Sequence, residues 1–231
     1  LAGPKRFQSV PVALKALPPI DAVLLSHDHY DHLCMPTVRQ LAKTEVPFVT
    51  SLGVGAHLEA FGVAPERITE LDWWQSQRLP DSEVEVTAAP SQHFSGRGLK
   101  DRNATLWSSL VVRTPSHAVF FSGDTGLTDQ YAEIRRRLGP FDLVMLEWRR
   151  RFGRATAPML RERVGDLMDL HIRVLGILLA LPDHDPVDLP KGSNAILVTH
   201  DLTPSLTVQL DRDAIAALAT VLERLVFLAT E

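Results

Sequence analysis

Residues 26–33 read Ser26-His27-Asp28-His29-Tyr30-Asp31-His32-Leu33 and follow the apolar run Ile20-Asp21-Ala22-Val23-Leu24-Leu25. Three histidines and two aspartates therefore occupy six consecutive positions directly after an expected buried strand. Burying such charges without partners is expensive. A divalent cation offsets that cost, because imidazole nitrogen and carboxylate oxygen are both zinc ligands. In an extended segment, residues two apart project the same way, so His27 and His29 can grip one ion. Asp31 and His32 are adjacent and diverge, which suits a second ion. Two ions about 3.5–4 Å apart form a clamp for hydrolysis. The competing reading is a solvated polar loop, which suits an isolated His-x-His better than this whole string.

Outward from the cluster, short apolar runs alternate with helical segments. Strands are expected at Ile20–Leu25, Pro47–Thr50, Ile68–Leu71, Val84–Ala88 and Phe141–Leu146. Leu106–Arg113 and Ala118–Ser122 read as a hairpin around Thr114-Pro115-Ser116-His117. Helices are expected at Pro36–Ala42, with Pro36 in the first turn, at Gly55–Phe61, and at Thr128–Leu138, with Thr128 as its cap and arginines at its end. Beyond residue 148 the texture changes. Residues 148–163, WRRRFGRATAPMLRER, hold six arginines. Met159–Leu181 and Asp211–Ala229 read as helices by periodicity, and Asn194–Thr199 as a strand ending in His200. Strands interleaved with helices point to an α/β or α+β layered fold.

The chain has 231 residues, 45% apolar and 23% charged, with a net charge of −4. That balance argues against an overall basic nucleic-acid-binding surface. One cysteine, Cys34, excludes an internal disulfide and fits a reducing, cytoplasmic setting. The apolar run Val174–Leu181 is eight residues, too short to span a bilayer. No apolar signal region is visible near the first residue, and no initiating Met is present.

The string SHDHYDHL resembles the His-x-His-x-Asp-His signature of the metallo-β-lactamase fold superfamily. His93, in Pro90-Ser91-Gln92-His93-Phe94-Ser95-Gly96-Arg97, matches the position of that family's third histidine. Asp124, in Phe121-Ser122-Gly123-Asp124-Thr125-Gly126, matches its bridging aspartate. Together with GPKRF and LWSSLVV, these motifs are similar to the branch holding N-acyl-phosphatidylethanolamine phospholipase D-like and ascorbate-phosphate lactonase-like hydrolases. The resemblance covers residues 3–147 and implies an αββα four-layer sandwich in a single domain over 1–231. It implies His27, His29 and His93 on one metal, Asp31 and His32 on the second, and Asp124 bridging. The nucleophile would be a hydroxide held between the ions and oriented by Asp31, which is the implied catalytic residue. Zinc is the default, with two ions, and manganese or iron suits the same ligand types.

The sequence departs from the family in two places. Only about twenty-five residues precede the cluster, so N-terminal strands are expected to be missing, and exposed edges favour pairing with another chain. After Glu147 the match stops, as a shift of reading frame near codon 148 would leave it. The surviving candidate for the family's late ligand is His200. Arg97 and Lys100 read equally as contacts for an anionic substrate or as solvated charges, and Trp73 and Trp74 as packing residues first and as the lining of a substrate groove second. The expected function is a metal-dependent hydrolase of a phosphodiester, lactone or similar ester, with a small-molecule or lipid phosphoester as substrate. The rival reading is a non-catalytic relative that binds metal weakly or serves as an interaction module.

Overall fold

The computed structural model describes residues 14–126 and 128–146, and the backbone of strand segments at 175–178, 194–195 and 225–227. These residues divide into two compact units. One takes those within Leu1–Asp72, Phe94–Trp107 and Ala219–Glu231; the other takes those within Trp73–His93 and Ser108–Leu218.

In the first unit, strands β1 (Ala22–Leu25), β2 (Phe48–Ser51) and β3 (Ile68–Leu71) lie parallel. The parallel arrangement needs crossovers. Helix α1 (Met35–Leu41) joins β1 to β2, and α2 (Gly55–Ala60) joins β2 to β3. Every residue of β1 and β2 is buried, as parallel strands covered on both faces are, and in β2 the Thr50 and Ser51 hydroxyls donate to the Leu25 and Ser26 carbonyls. Val23, Leu25, Leu33, Val38, Phe48, Val54 and Leu58 form the core beneath them. Pro36 sits in the first turn of α1, where its missing N–H costs nothing. At the other end, the Arg67 guanidinium donates to the carbonyls of Leu41, Ala42 and Val46, at 3.3, 3.0 and 2.7 Å, and so satisfies the exit of α1.

In the second unit, β4 (Ser76–Arg78), β5 (Glu85–Ala89), β6 (Ser109–Arg113) and β7 (Ala118–Phe121) form an antiparallel run. Strand β8 (Leu143–Leu146) then adds parallel to β7 after helix α3 (Gln130–Leu138). The hairpin turn falls at Thr114–His117, where the Thr114 N–H meets the His117 carbonyl at 2.8 Å. Ala89, Val111, Phe120, Tyr131, Ile134 and Phe141 pack as a second core, with Trp74 against its margin. Arg137 stacks over Trp74 at 4.3 Å from the ring centroid.

Three local expectations change. Strand β4 carries no apolar residue and is exposed throughout, so alternation did not flag it; it is held by pairing to β5 and by Ser76 Oγ against Thr87 Oγ1 at 2.8 Å. The cap position of α3 belongs to Asp129, and Thr128 Oγ1 instead accepts the Gln130 N–H at 3.2 Å. Within the two C-terminal helical expectations, Leu175–Leu178 is strand β9, parallel to β8, and Leu225–Phe227 is strand β11, parallel to β1. Periodicity alone does not separate a buried strand from a buried helix in an apolar run; pairing decides. Between them, Asn194–Ala195 forms β10 beside β9, which lengthens the sheet of the second unit.

Candidate metal centre

Strand β1 ends at Leu25, and the next three residues, Ser26, His27 and Asp28, are buried to within 1% of full exclusion. The chain then reverses. The N–H groups of His32 and Leu33 both reach the His29 carbonyl, at 3.0 and 2.7 Å. This turn brings His27 Nε2 to 2.9 Å from His29 Nδ1. The His27 ring also lies 4.2 Å, centroid to centroid, from that of His32. Asp31 Oδ2 is 4.0 Å from His32 Nε2.

A residue that motif reading passed over organises these rings. The Ser26 hydroxyl lies 2.9 Å from His27 Nδ1 and 3.4 Å from His32 Nδ1. One hydroxyl against two Nδ1 atoms turns both Nε2 atoms to the opposite side of their rings. Such a partner on the far nitrogen is the usual device for orienting a metal-ligating imidazole. Ser26 is held in turn, because its carbonyl accepts the Ser51 hydroxyl at 2.7 Å.

Asp28, the residue between the two histidines, faces away from them. Its Oδ1 accepts the Gly96 N–H at 2.8 Å, and its Oδ2 lies 3.6 Å from His57 Nε2. His57 sits on α2, twenty-nine residues from Asp28 in sequence, and no local signal marked it. Arg97, read from sequence as a loop charge or a substrate contact, is turned inward. Its Nη1 donates to the carbonyls of Asp28 and Leu33, and burial pushes its pKa below the ordinary value, against the pull of Tyr30, Asp28 and Asp101.

In the second unit, His93 follows β5 and Asp124 follows β7. His93 Nε2 lies 3.5 Å from Asp124 Oδ2, with side chains 8% and 4% exposed. The loops carrying them are tied by main chain and hydroxyls. Ser91 Oγ donates to the Asp124 carbonyl at 2.8 Å, Thr125 Oγ1 accepts the Gln92 N–H at 3.1 Å, and the Gly126 N–H meets the Gln92 carbonyl at 2.9 Å. Beneath them, the Tyr131 hydroxyl approaches the Gly126 carbonyl at 3.4 Å. Burial pushes the Tyr131 pKa up to about 12, with a Thr125 hydrogen bond acting the other way.

Each unit thus collects imidazole and carboxylate donors at a strand end, and that donor chemistry fits a divalent cation. His200 lies outside the described residues.

The comparisons with known proteins bear on this. A family described as the β-lactamase superfamily domain matches residues 1–162. The chain belongs to the metallo-β-lactamase superfamily. Members similar to it include a Mycobacterium tuberculosis protein named as uncharacterised, 49% identical over 147 residues, which are 63% of this chain and 39% of that protein. An N-acyl-phosphatidylethanolamine-hydrolyzing phospholipase D of Caenorhabditis elegans is 35% identical over 63% of this chain and 43% of its own length. The chain therefore spans about two-fifths of these curated relatives. Among solved structures, a metallo hydrolase of the archaeon Ignicoccus hospitalis aligns with a TM-score of 0.60 at 16% identity, over 82% of each chain. Together with the family match, that likeness shows the metallo-β-lactamase fold, a mixed architecture of sheets with few helices. Among the described residues, no helix is long and apolar enough to cross a membrane.

Proposed function

We propose that this chain carries the metal centre of a metal-dependent hydrolase that cleaves a phosphodiester, with a phospholipid of the N-acyl-phosphatidylethanolamine kind as the favoured substrate class. The observation that carries the reading is the strand-end turn in which the Ser26 hydroxyl orients His27 and His32 while His27 and His29 face each other at 2.9 Å. The activity that the C. elegans relative is named for supports the phosphodiester over a lactone or other ester.

In this reading, as the family resemblance implies, His27, His29 and His93 would hold one ion, Asp31 and His32 the second, and Asp124 would serve both. His200 is the candidate that would complete the second. Zinc is the first choice, in two ions, with manganese or iron compatible with the same donors. Bound divalent cations supply a lowered water pKa and polarisation of the phosphoryl oxygen. The chain's own residues do the rest. Ser26 keeps the two imidazoles in one orientation. Asp31, with a third of its side chain exposed, would accept a hydrogen bond from the attacking water and orient it. Burial of His27 and Asp124 keeps the donors in a low-dielectric setting, where charge stabilisation is stronger. One domain over the whole chain, a cytoplasmic setting and self-association belong to the same proposal.

These curated relatives align with 63% of the chain, and the unaligned remainder favours a second reading in which it binds metal weakly without turnover or serves as an interaction module. Metal analysis and hydrolysis of bis-p-nitrophenyl phosphate with added Zn²⁺ or Mn²⁺ separate the two. Stoichiometric metal and turnover, both abolished in His27→Ala, Asp31→Ala and Asp124→Ala, support the enzyme. Metal without turnover supports the second reading. Metal content unchanged in all three variants defeats both.

A further inference from the structure

The turn that holds His29, Asp31 and His32 is spanned at both ends by one side chain. Arg97 Nη1 donates to the Asp28 carbonyl at 2.5 Å and to the Leu33 carbonyl at 3.0 Å. These two carbonyls bracket residues 29–32. The contact is reciprocal, because Asp28 Oδ1 accepts the Gly96 N–H at 2.8 Å and the Tyr30 hydroxyl donates to the Arg97 carbonyl at 2.8 Å. The guanidinium also lies over the Tyr30 ring, 4.1 Å from its centroid, with the Phe61 ring at 5.6 Å. The segment that presents Arg97 is itself preset. Asp101 accepts the N–H groups of Arg97 and Gly98 at 2.9 and 2.7 Å, which holds its carboxyl below the ordinary value. Gly96 takes φ +137°, a backbone setting in which a side chain is strained, and a Cβ there would meet Arg102 Cα at 3.2 Å.

A guanidinium suits this place. It keeps its charge when half-buried, presents several donors in one plane, and stacks on an aromatic face. Lysine offers a point charge on a flexible stem and does not reproduce the stacked plane. With both turn carbonyls and the Asp28 carboxylate engaged, the segment from Asp28 to Leu33 has few ways to relax. Preset ligands bind more tightly than ligands that must be ordered on binding.

We infer that Arg97 is a positioning residue for the metal centre: by clamping the carbonyls of Asp28 and Leu33 it fixes the turn that presents His29, Asp31 and His32. The inference rests on the metal-centre reading above, and outer partners of this kind typically change metal affinity about 10–100-fold.

The test is zinc affinity by chelator competition, with the visible spectrum of the cobalt-loaded protein, for the wild-type chain, Arg97→Ala, Arg97→Lys and Tyr30→Phe. Circular dichroism reports which variants are folded. The expected result is a loss of about 10–100-fold in zinc affinity for folded Arg97→Ala, partial recovery in Arg97→Lys, and a changed cobalt band in both. A role only in stability lowers the melting temperature of the metal-free protein and leaves affinity and cobalt band unchanged, and that outcome overturns the inference. If Arg97→Ala does not fold, Arg97→Lys and Tyr30→Phe decide: wild-type affinity in both overturns it, and weaker binding in either supports it. A wild-type chain that binds no more zinc than His27→Ala overturns the metal-centre reading, and this inference with it.

Discussion

The turn after β1 and the turn after β7 both end a buried strand in polar residues, yet they are held in different ways. After β1, side chains do the bracing: the Ser26 hydroxyl, the Asp28 carboxylate and the Arg97 guanidinium. After β7, the bracing is mainly backbone and small hydroxyls. Ser109 Oγ meets the Ser122 carbonyl at 2.9 Å, Ser91 Oγ meets the Asp124 carbonyl, and Gly126 meets Gln92. A turn crowded with titratable groups needs charged partners of its own. A turn carrying one carboxylate needs only the strands on either side to stay in register. The first should therefore respond to changes in single polar side chains, and the second to the core below it.

The largest effect should come from that core. Phe120 is fully buried, with Phe141 at 5.5 Å and Tyr131 at 6.3 Å between ring centroids. Phe120→Ala should cost about 3–5 kcal/mol, read as a lower urea midpoint. A loss below about 1 kcal/mol would break the idea that the β7 turn depends on its core.

Ser26→Ala comes next. Removing the hydroxyl should weaken zinc binding about 10–100-fold, with a far smaller change in urea midpoint. Unchanged affinity by chelator competition would show that the rings orient themselves. Ser91→Ala, the matched change beside the other turn, should cost about 1 kcal/mol of stability and shift zinc affinity less than Ser26→Ala does. The reverse order of affinities would invert the comparison.

The smallest effect lies on the surface of α3. Glu133 bonds Arg136 and Arg137, each at 2.6 Å, and these partners pull its pKa down from 4.5 to about 2. Because the folded value is the lower one, its contribution is complete above the ordinary value and fades as pH falls towards about 2. Glu133→Gln should differ from wild type at neutral pH by a small, salt-sensitive margin that closes over that acid range. A margin that persists at pH 2 would mean that the pair is not its source.

The cluster His27–His32 was legible because its evidence is local. Six consecutive residues after an apolar strand need no partner to be noticed. Strands β1, β2, β3, β5 and β8, the β6–β7 hairpin and the three helices were legible for the same reason, within two residues at most ends. Strand β4 was not, because Ser76-Gln77-Arg78 has no apolar alternation and exists through its pairing to β5. Residues 175–178 and 225–227 read as helix for a related cause: the run is apolar either way, and only a neighbouring strand selects the extended form.

The roles of Arg97 and His57 needed the folded chain. Arg97 meets Leu33 across 64 residues and Asp28 across 69, and no spacing rule links positions so distant. Amino-acid order was enough for donor types, apolar runs and turn residues, which act over a few neighbours. Partner choice for Asp28, Ser26 and Arg97 came from tertiary structure. Desolvation makes each buried polar group take whichever partner the fold brings within hydrogen-bond reach.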